Sequence, residues 1–196
     1  MRRQTMKIFA VSAFALATVI AGSAAAQTQQ VTHGPAIPNV CTFHNARMLA
    51  QSTSGQALSS GMERLVQEVQ AEVAPYTTSI QTEATALQQG GQAADADGSR
   101  RRALQARAQE LEQLTQRREQ ELQYTRAVQL QAIATAADPI VVAVYQERQC
   151  GILLDRDSVF IANPSMDITD TVIQRLNTAL PSLSFSRMTP PVQQPQ

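Results

Sequence analysis

Residues 62–87 carry a stripe that only a helix can satisfy. Met62, Val66, Val69, Val73, Tyr76, Ile80, Glu83 and Leu87 follow one another at spacings of four and three. That places them on one side of an α-helix, as an a/d seam with one polar member. Pro75 lies inside the stripe, removes one backbone hydrogen bond and predicts a kink. Gly90-Gly91 end the pattern, and residues 92–98 are small and polar. Ser99 then offers an N-cap for a second helical pattern over residues 100–149. In it Leu104, Leu111, Leu122, Ile133 and Val144 are spaced by seven and then by eleven, a repeat that stays on one side of a nearly straight helix. Pro139 predicts a bend near the base of this second helix. Two helices joined by a short glycine-rich turn run antiparallel. At 1.5 Å per residue each reaches roughly 50–70 Å. The chain therefore reads as an arm over residues 52–147 with its tip near 90–98.

Charge agrees with that pairing. Residues 62–97 hold one arginine against six acids, and residues 100–126 hold seven arginines against four acids. An acidic helix beside a basic one is electrostatically consistent, although each exposed ion pair is worth less than about 1 kcal/mol.

The segments flanking the arm change period. Val40-Cys41-Thr42-Phe43 is short, β-branched or aromatic, and follows the turn signals Gly34, Pro35 and Pro38, so it reads as a strand. Ile152-Leu153-Leu154 reads as another. Asp155-Arg156-Asp157 reads as a turn, and residues 158–162 as a further strand closing a hairpin before Asn163-Pro164. Asp167 or Thr169 can cap a last helix to about Leu180, with Ile168, Val172, Ile173 and Leu176 on its apolar side. These pieces predict an α+β, mostly helical chain: residues 39–51 and 148–180 form a base with a small β-sheet, and the arm stands on it. Residues 27–38 read as a flexible leader. The proline-rich tail, residues 181–196, has no period and reads as disordered.

The N-terminus has the three parts of a secretory signal peptide. Arg2, Arg3 and Lys7 precede an apolar run over residues 8–21, and Ala24-Ala25-Ala26 supplies the small-residue cleavage pattern. Cleavage near Ala26 predicts a periplasmic mature chain. The 8–21 run is shorter than the about 20 residues that span a bilayer, and no further apolar run is expected to be long enough to span one. Lys7 is the only lysine, so the mature chain keeps 13 arginines against 16 acids. Cys41 and Cys150 are its two cysteines. In an oxidising compartment they read as one disulfide, the alternative being two reduced thiols. Closing a loop that long stabilises by about 4–5 kcal/mol in the chain-entropy model.

No catalytic constellation is present in the sequence. His33 and His44 have no acid cluster beside them and read as surface or packing residues. Asp155, Asp157, Asp167 and Asp170 lack the glycine and ligand spacing of a calcium loop, and turn or capping roles explain them. No metal, cofactor, enzymatic activity or nucleic-acid partner is expected.

The order of signal peptide, strand, long helical hairpin, β-hairpin and capped terminal helix resembles the Skp/OmpH family of periplasmic chaperones. At the front, the strand of Val40, Cys41, Thr42 and Phe43 leads through Arg47-Met48-Leu49 to Thr53-Ser54-Gly55-Gln56-Ala57. At the back, Gly151-Ile152-Leu153-Leu154-Asp155, Ser158-Val159-Phe160-Ile161 and Asp167-Ile168-Thr169 with Val172 and Leu176 carry the resemblance, the more specific of the two ends. It implies a homotrimer whose arms surround a cavity holding unfolded outer-membrane proteins. By that resemblance, client contacts fall on the inner arm faces around Tyr76, Ile80, Leu87, Leu104, Leu111 and Tyr124. The lysine-free chain departs from the basic arms of the family. A basic patch near the tip then rests on Arg100, Arg101, Arg102, Arg107, Arg117 and Arg118, and lipopolysaccharide or an anionic membrane surface is what such a patch would meet. A periplasmic coiled-coil scaffold or cell-envelope adaptor for folded partners is the alternative reading.

Overall fold

The computed structural model describes residues 31–191; residues 1–30, with the expected signal peptide and the start of the expected leader, and residues 192–196 lie outside them. Strand β1 (Val40–Phe43) leads into a short helix α1 (Asn45–Gln51) and then α2 (Thr53–Gly90). A 3-10 turn (Gly91–Asp95) reverses the chain into α3 (Ser99–Glu147), followed by β2 (Ile152–Asp155) and α4 (Thr169–Ala179). The long antiparallel helical hairpin on a small sheet is thus present, as α2 and α3 over β1 and β2.

Local chemistry explains the breaks. Ser52 separates α1 from α2, and its hydroxyl accepts from Gly55 N at 3.1 Å, an N-cap for α2. Gly55 is required there, because a Cβ would fall 1.7 Å from Leu49 O. At the tip Gly91 and Gly98 take positive φ, 58° and 71°, which costs glycine little. Ser99 is not the cap of α3. Asp97 Oδ1 accepts from Ser99 N at 3.0 Å, and Asp95 Oδ1 accepts from Arg100 N at 2.8 Å. The left-handed Gly98 turns the preceding acids under the helix end, and carboxylates satisfy orphan amides there. Both long helices continue through their prolines, Pro75 and Pro139.

Among the described residues the sheet has two strands, where residues 158–162 were expected to add a third. β1 and β2 pair in parallel, with Val40 opposite Ile152 and Phe43 opposite Asp155, since the whole arm forms the crossover between them. Residues 158–162 do not form the hairpin's second strand. Asp155 Oδ1 accepts from Asp157 N at 3.0 Å, starting a 3-10 turn, and the Arg156 guanidinium donates to Val159 O. Beside β1, Thr42 bridges Asp167, so the other side of that strand is partly taken. Phe160 is left 96 % exposed.

One core sits at the base. Met48, Leu58, Ile133, Ala137, Val144, Ile168, Val172, Ile173 and Leu176 are buried together, and Cys41 and Cys150 form a disulfide there with Cα atoms 5.8 Å apart. Val66 is off the seam at 38 % exposure, and Leu65 is buried in its place. An 18-residue window of α3 has mean hydropathy 1.5 and is 22 % buried within the protein. By length and composition alone that window is apolar enough to cross a membrane. This corrects the expectation that no apolar run after residue 21 is long enough to span one, because scattered polar residues average out over the window.

Candidate functional site: the faces and edges of the arm

The four acids of the base act structurally. Asp167 Oδ1 accepts from Thr169 N at 2.8 Å, and its Oδ2 meets Arg47 at 2.9 Å. Asp170 meets the same guanidinium at 3.3 Å. Asp157 lies 2.9 Å from His44 Nε2. Among the described residues, no group of three or more His, Cys, Asp or Glu side chains is arranged to hold a metal.

The arm is built differently from the base. Among the described side chains of residues 66–124, only that of Asp95 is buried. Two helices alone cannot enclose a side chain on every flank, so the apolar seam stays half open. Ile80, Leu87, Leu104, Leu111 and Tyr124 are half-buried, and Tyr76 is 47 % exposed. The structure brings two of these together: Tyr76 and Ile80 line one open cleft with Pro75, Ser79, Arg107 and Glu110. Leu87 and Leu104 lie nearer the tip. Tyr124 lies toward the base, in a second cleft with Arg117, Glu121, Thr189, Pro190 and Pro191.

The six arginines do not form one patch at the tip. Arg100 Nε donates to Glu83 Oε1 at 2.8 Å, and Arg101 Nε meets the buried Asp95 carboxylate at 3.0 Å. Arg102 Nη2 donates to Asp97 O at 3.1 Å. Arg118 lies well down the arm and clasps Glu72 through two bonds of 2.6 and 2.9 Å. It also meets Glu121 at 3.0 Å. Arg107 and Arg117 hold no ion pair among the described residues. Spacing along a 49-residue helix at 1.5 Å per residue separates Arg100 from Arg118 by roughly 27 Å.

These pairs fix the charge of the arm. The Arg118 guanidinium holds Glu72 below the usual carboxylate range and is itself pushed up. Arg100 lowers Glu83 in the same way, and the Ser99 amide lowers Asp97. At the base, Arg175 lowers Glu147.

Sequence reasoning missed one element of this surface. Residues 181–191, expected to be disordered, lie along the arm. Gln129 Nε2 donates to Ser184 O at 3.0 Å, and Met188 N donates to Thr125 Oγ1 at 2.9 Å. Arg187 joins the Glu72 and Glu121 carboxylates at 3.2 and 3.1 Å. Thr125 and Gln129 are buried polar residues on α3, which a hydrophobic-period search passes over. The alternation of apolar and serine residues over 183–186 was the one available signal.

Comparison with known proteins agrees with this architecture. Residues 39–176 match the family described as "Outer membrane protein (OmpH-like)". A crystal structure from Caulobacter crescentus CB15, of a protein described as a candidate outer membrane chaperone (OmpH-like), is 35 % identical and superposes with a TM-score of 0.73. The match covers 84 % of this chain and 98 % of that one. No curated protein matches the chain.

Proposed function

This chain belongs to the OmpH-like outer membrane protein family, and from that premise we propose that it is a periplasmic holdase for unfolded outer-membrane proteins. Three copies would stand their arms around a cavity and keep a client from aggregating until it inserts. The observation that carries this reading is the half-open seam of the arm, where Tyr76, Ile80, Leu87, Leu104, Leu111 and Tyr124 offer dispersed apolar surface. Many weak contacts suit an unfolded chain, because binding the unfolded state opposes aggregation by mass action, and several arms multiply those contacts through effective concentration. The base supports assembly. Ile152, Leu154, Phe160 and Ile161 are exposed along and beyond β2, and an apolar, unpaired strand edge invites another copy. Lipopolysaccharide or an anionic membrane would meet Arg102, Arg107 and Arg117, which form no close ion pair with a carboxylate among the described residues.

The test is light scattering of the mature protein, alone and mixed with an outer-membrane barrel diluted from urea. A trimer that holds the barrel soluble near one trimer per client is the expected result. A monomer or dimer that leaves the barrel to aggregate would favour a scaffold for folded partners.

A further inference from the structure

The tail leaves α4 at Leu180 and runs up the groove between α2 and α3 toward the tip. Leu183 and Phe185 pack inward while Ser184 and Ser186 face solvent. The Phe185 ring sits on Gly61, where a Cβ would fall 2.5 Å from it. Arg187 enters the Glu72–Glu121–Arg118 cluster. Three main-chain groups are bonded by side chains of the arm: Ser184 O by Gln129 Nε2 at 3.0 Å, Phe185 O by Arg64 Nη2 at 3.0 Å, and Met188 N by Thr125 Oγ1 at 2.9 Å. The segment itself has neither helix nor strand pairing.

Such a groove is selective for chain geometry more than for sequence. Its three main-chain contacts are available to almost any polypeptide. Its two side-chain seats accept residues two positions apart, which an extended chain points to the same side. One seat is lined by a glycine and takes an aromatic ring. Without the tail the other holds two carboxylates against one guanidinium, and it takes a basic side chain. Strands of outer-membrane barrels alternate in polarity with the same period and carry aromatic girdles.

We propose that the α2–α3 groove is a binding site for an extended segment of an unfolded barrel polypeptide, with an aromatic residue followed two positions later by a basic one. Residues 183–188 of the same chain are its resident occupant, which a client displaces. This rests on the holdase reading above. No described residue of the tail beyond Leu180 is fully buried, so the tail can open locally without disturbing the core. Its tether to α4 favours the seated state through effective concentration. A tail seated about nine-tenths of the time raises the apparent client Kd about tenfold.

The experiment compares three full-length mature proteins: the wild type, a variant with Phe185→Ala and Arg187→Ala that releases the tail, and the same variant with Gly61→Leu added to fill the seat. Circular dichroism confirms that each keeps its helices. Fluorescence anisotropy of a labelled peptide with the sequence of residues 181–191 reads the groove, and a urea-diluted barrel is the competitor. The expected result is peptide binding about tenfold tighter in the released variant, displacement by the barrel, and loss of the gain with Gly61→Leu. Equal peptide binding by all three, or a barrel held soluble without displacing the peptide, overturns this site and leaves the holdase reading standing. A barrel that aggregates with all three proteins overturns the holdase reading itself and this site with it.

Discussion

The base and the arm are held together by different physics. In the base, Ile133, Ile168, Val172 and Leu176 are fully enclosed, and a disulfide ties β1 to the link between α3 and β2. Burial of that kind is insensitive to pH and salt. In the arm, with no enclosed apolar core, the two helices are joined by half-open seam contacts, by the Glu72–Arg118 and Glu83–Arg100 pairs, by the Asp95 cap and by the tail. Exposed ion pairs are individually weak. The molecule thus combines an enclosed foot with an arm whose surface remains accessible, the division of labour that the proposed holding surface would need.

This contrast can be broken from the base first. Replacing Cys41 and Cys150 by serine removes a cross-link between residues 109 apart and is expected to cost about 4–5 kcal/mol. Urea unfolding of the two proteins, followed by near-ultraviolet signals of the base, measures it, and an unchanged midpoint would refute the assignment. Leu176→Ala opens a cavity in the enclosed core and should cost about 2–5 kcal/mol. Leu104→Ala in the half-open seam should cost well below that by the same measurement. Equal costs would erase the distinction between the two regions.

Asp95→Ala leaves the first amides of α3 without their carboxylate. With the Asp95 side chain wholly buried, a loss of about 1–2 kcal/mol is expected. Hydrogen exchange should place it in the tip amides, with the base protected as before. The smallest effect is that of acid. Glu72, Glu83 and Asp97 are all depressed by partners on the arm. A depressed carboxylate stabilises fully above its unfolded value and loses that contribution as pH falls through the folded one. Below the ordinary 4.5 of glutamate, the arm should gain exchange before the base does. Glu147 with Arg175 is the base's own acid-sensitive pair. An arm that outlasts the base in acid would overturn the ordering.

Much of the arm is legible in the sequence. Its stripes, its glycine turn and its opposite charges are each local or nearly so. The Glu72–Arg118 and Glu83–Arg100 pairs realise the charge asymmetry without any residue-by-residue signal for who meets whom. The stripe slips by one residue at Leu65, which is buried although it lies outside the cluster that forms the base core. The candidate surface was harder to read. The arginines look like a cluster in sequence, yet eighteen positions of helix spread them along the arm.

By itself the sequence determined the periodic elements: two long helices broken at Gly90-Gly91, β1, and the apolar side of α4 at Ile168, Val172, Ile173 and Leu176. A helix advertises itself in side chains three and four residues apart, so its signal lies within one stretch of chain. Only the tertiary structure decided that residues 158–162 stay unpaired, that β1 and β2 run parallel, and that Thr125 and Gln129 are buried. It alone decided the course of the tail. The groups that position the tail lie 55, 63, 115 and 121 residues away, and a segment ordered by such distant partners carries no period of its own.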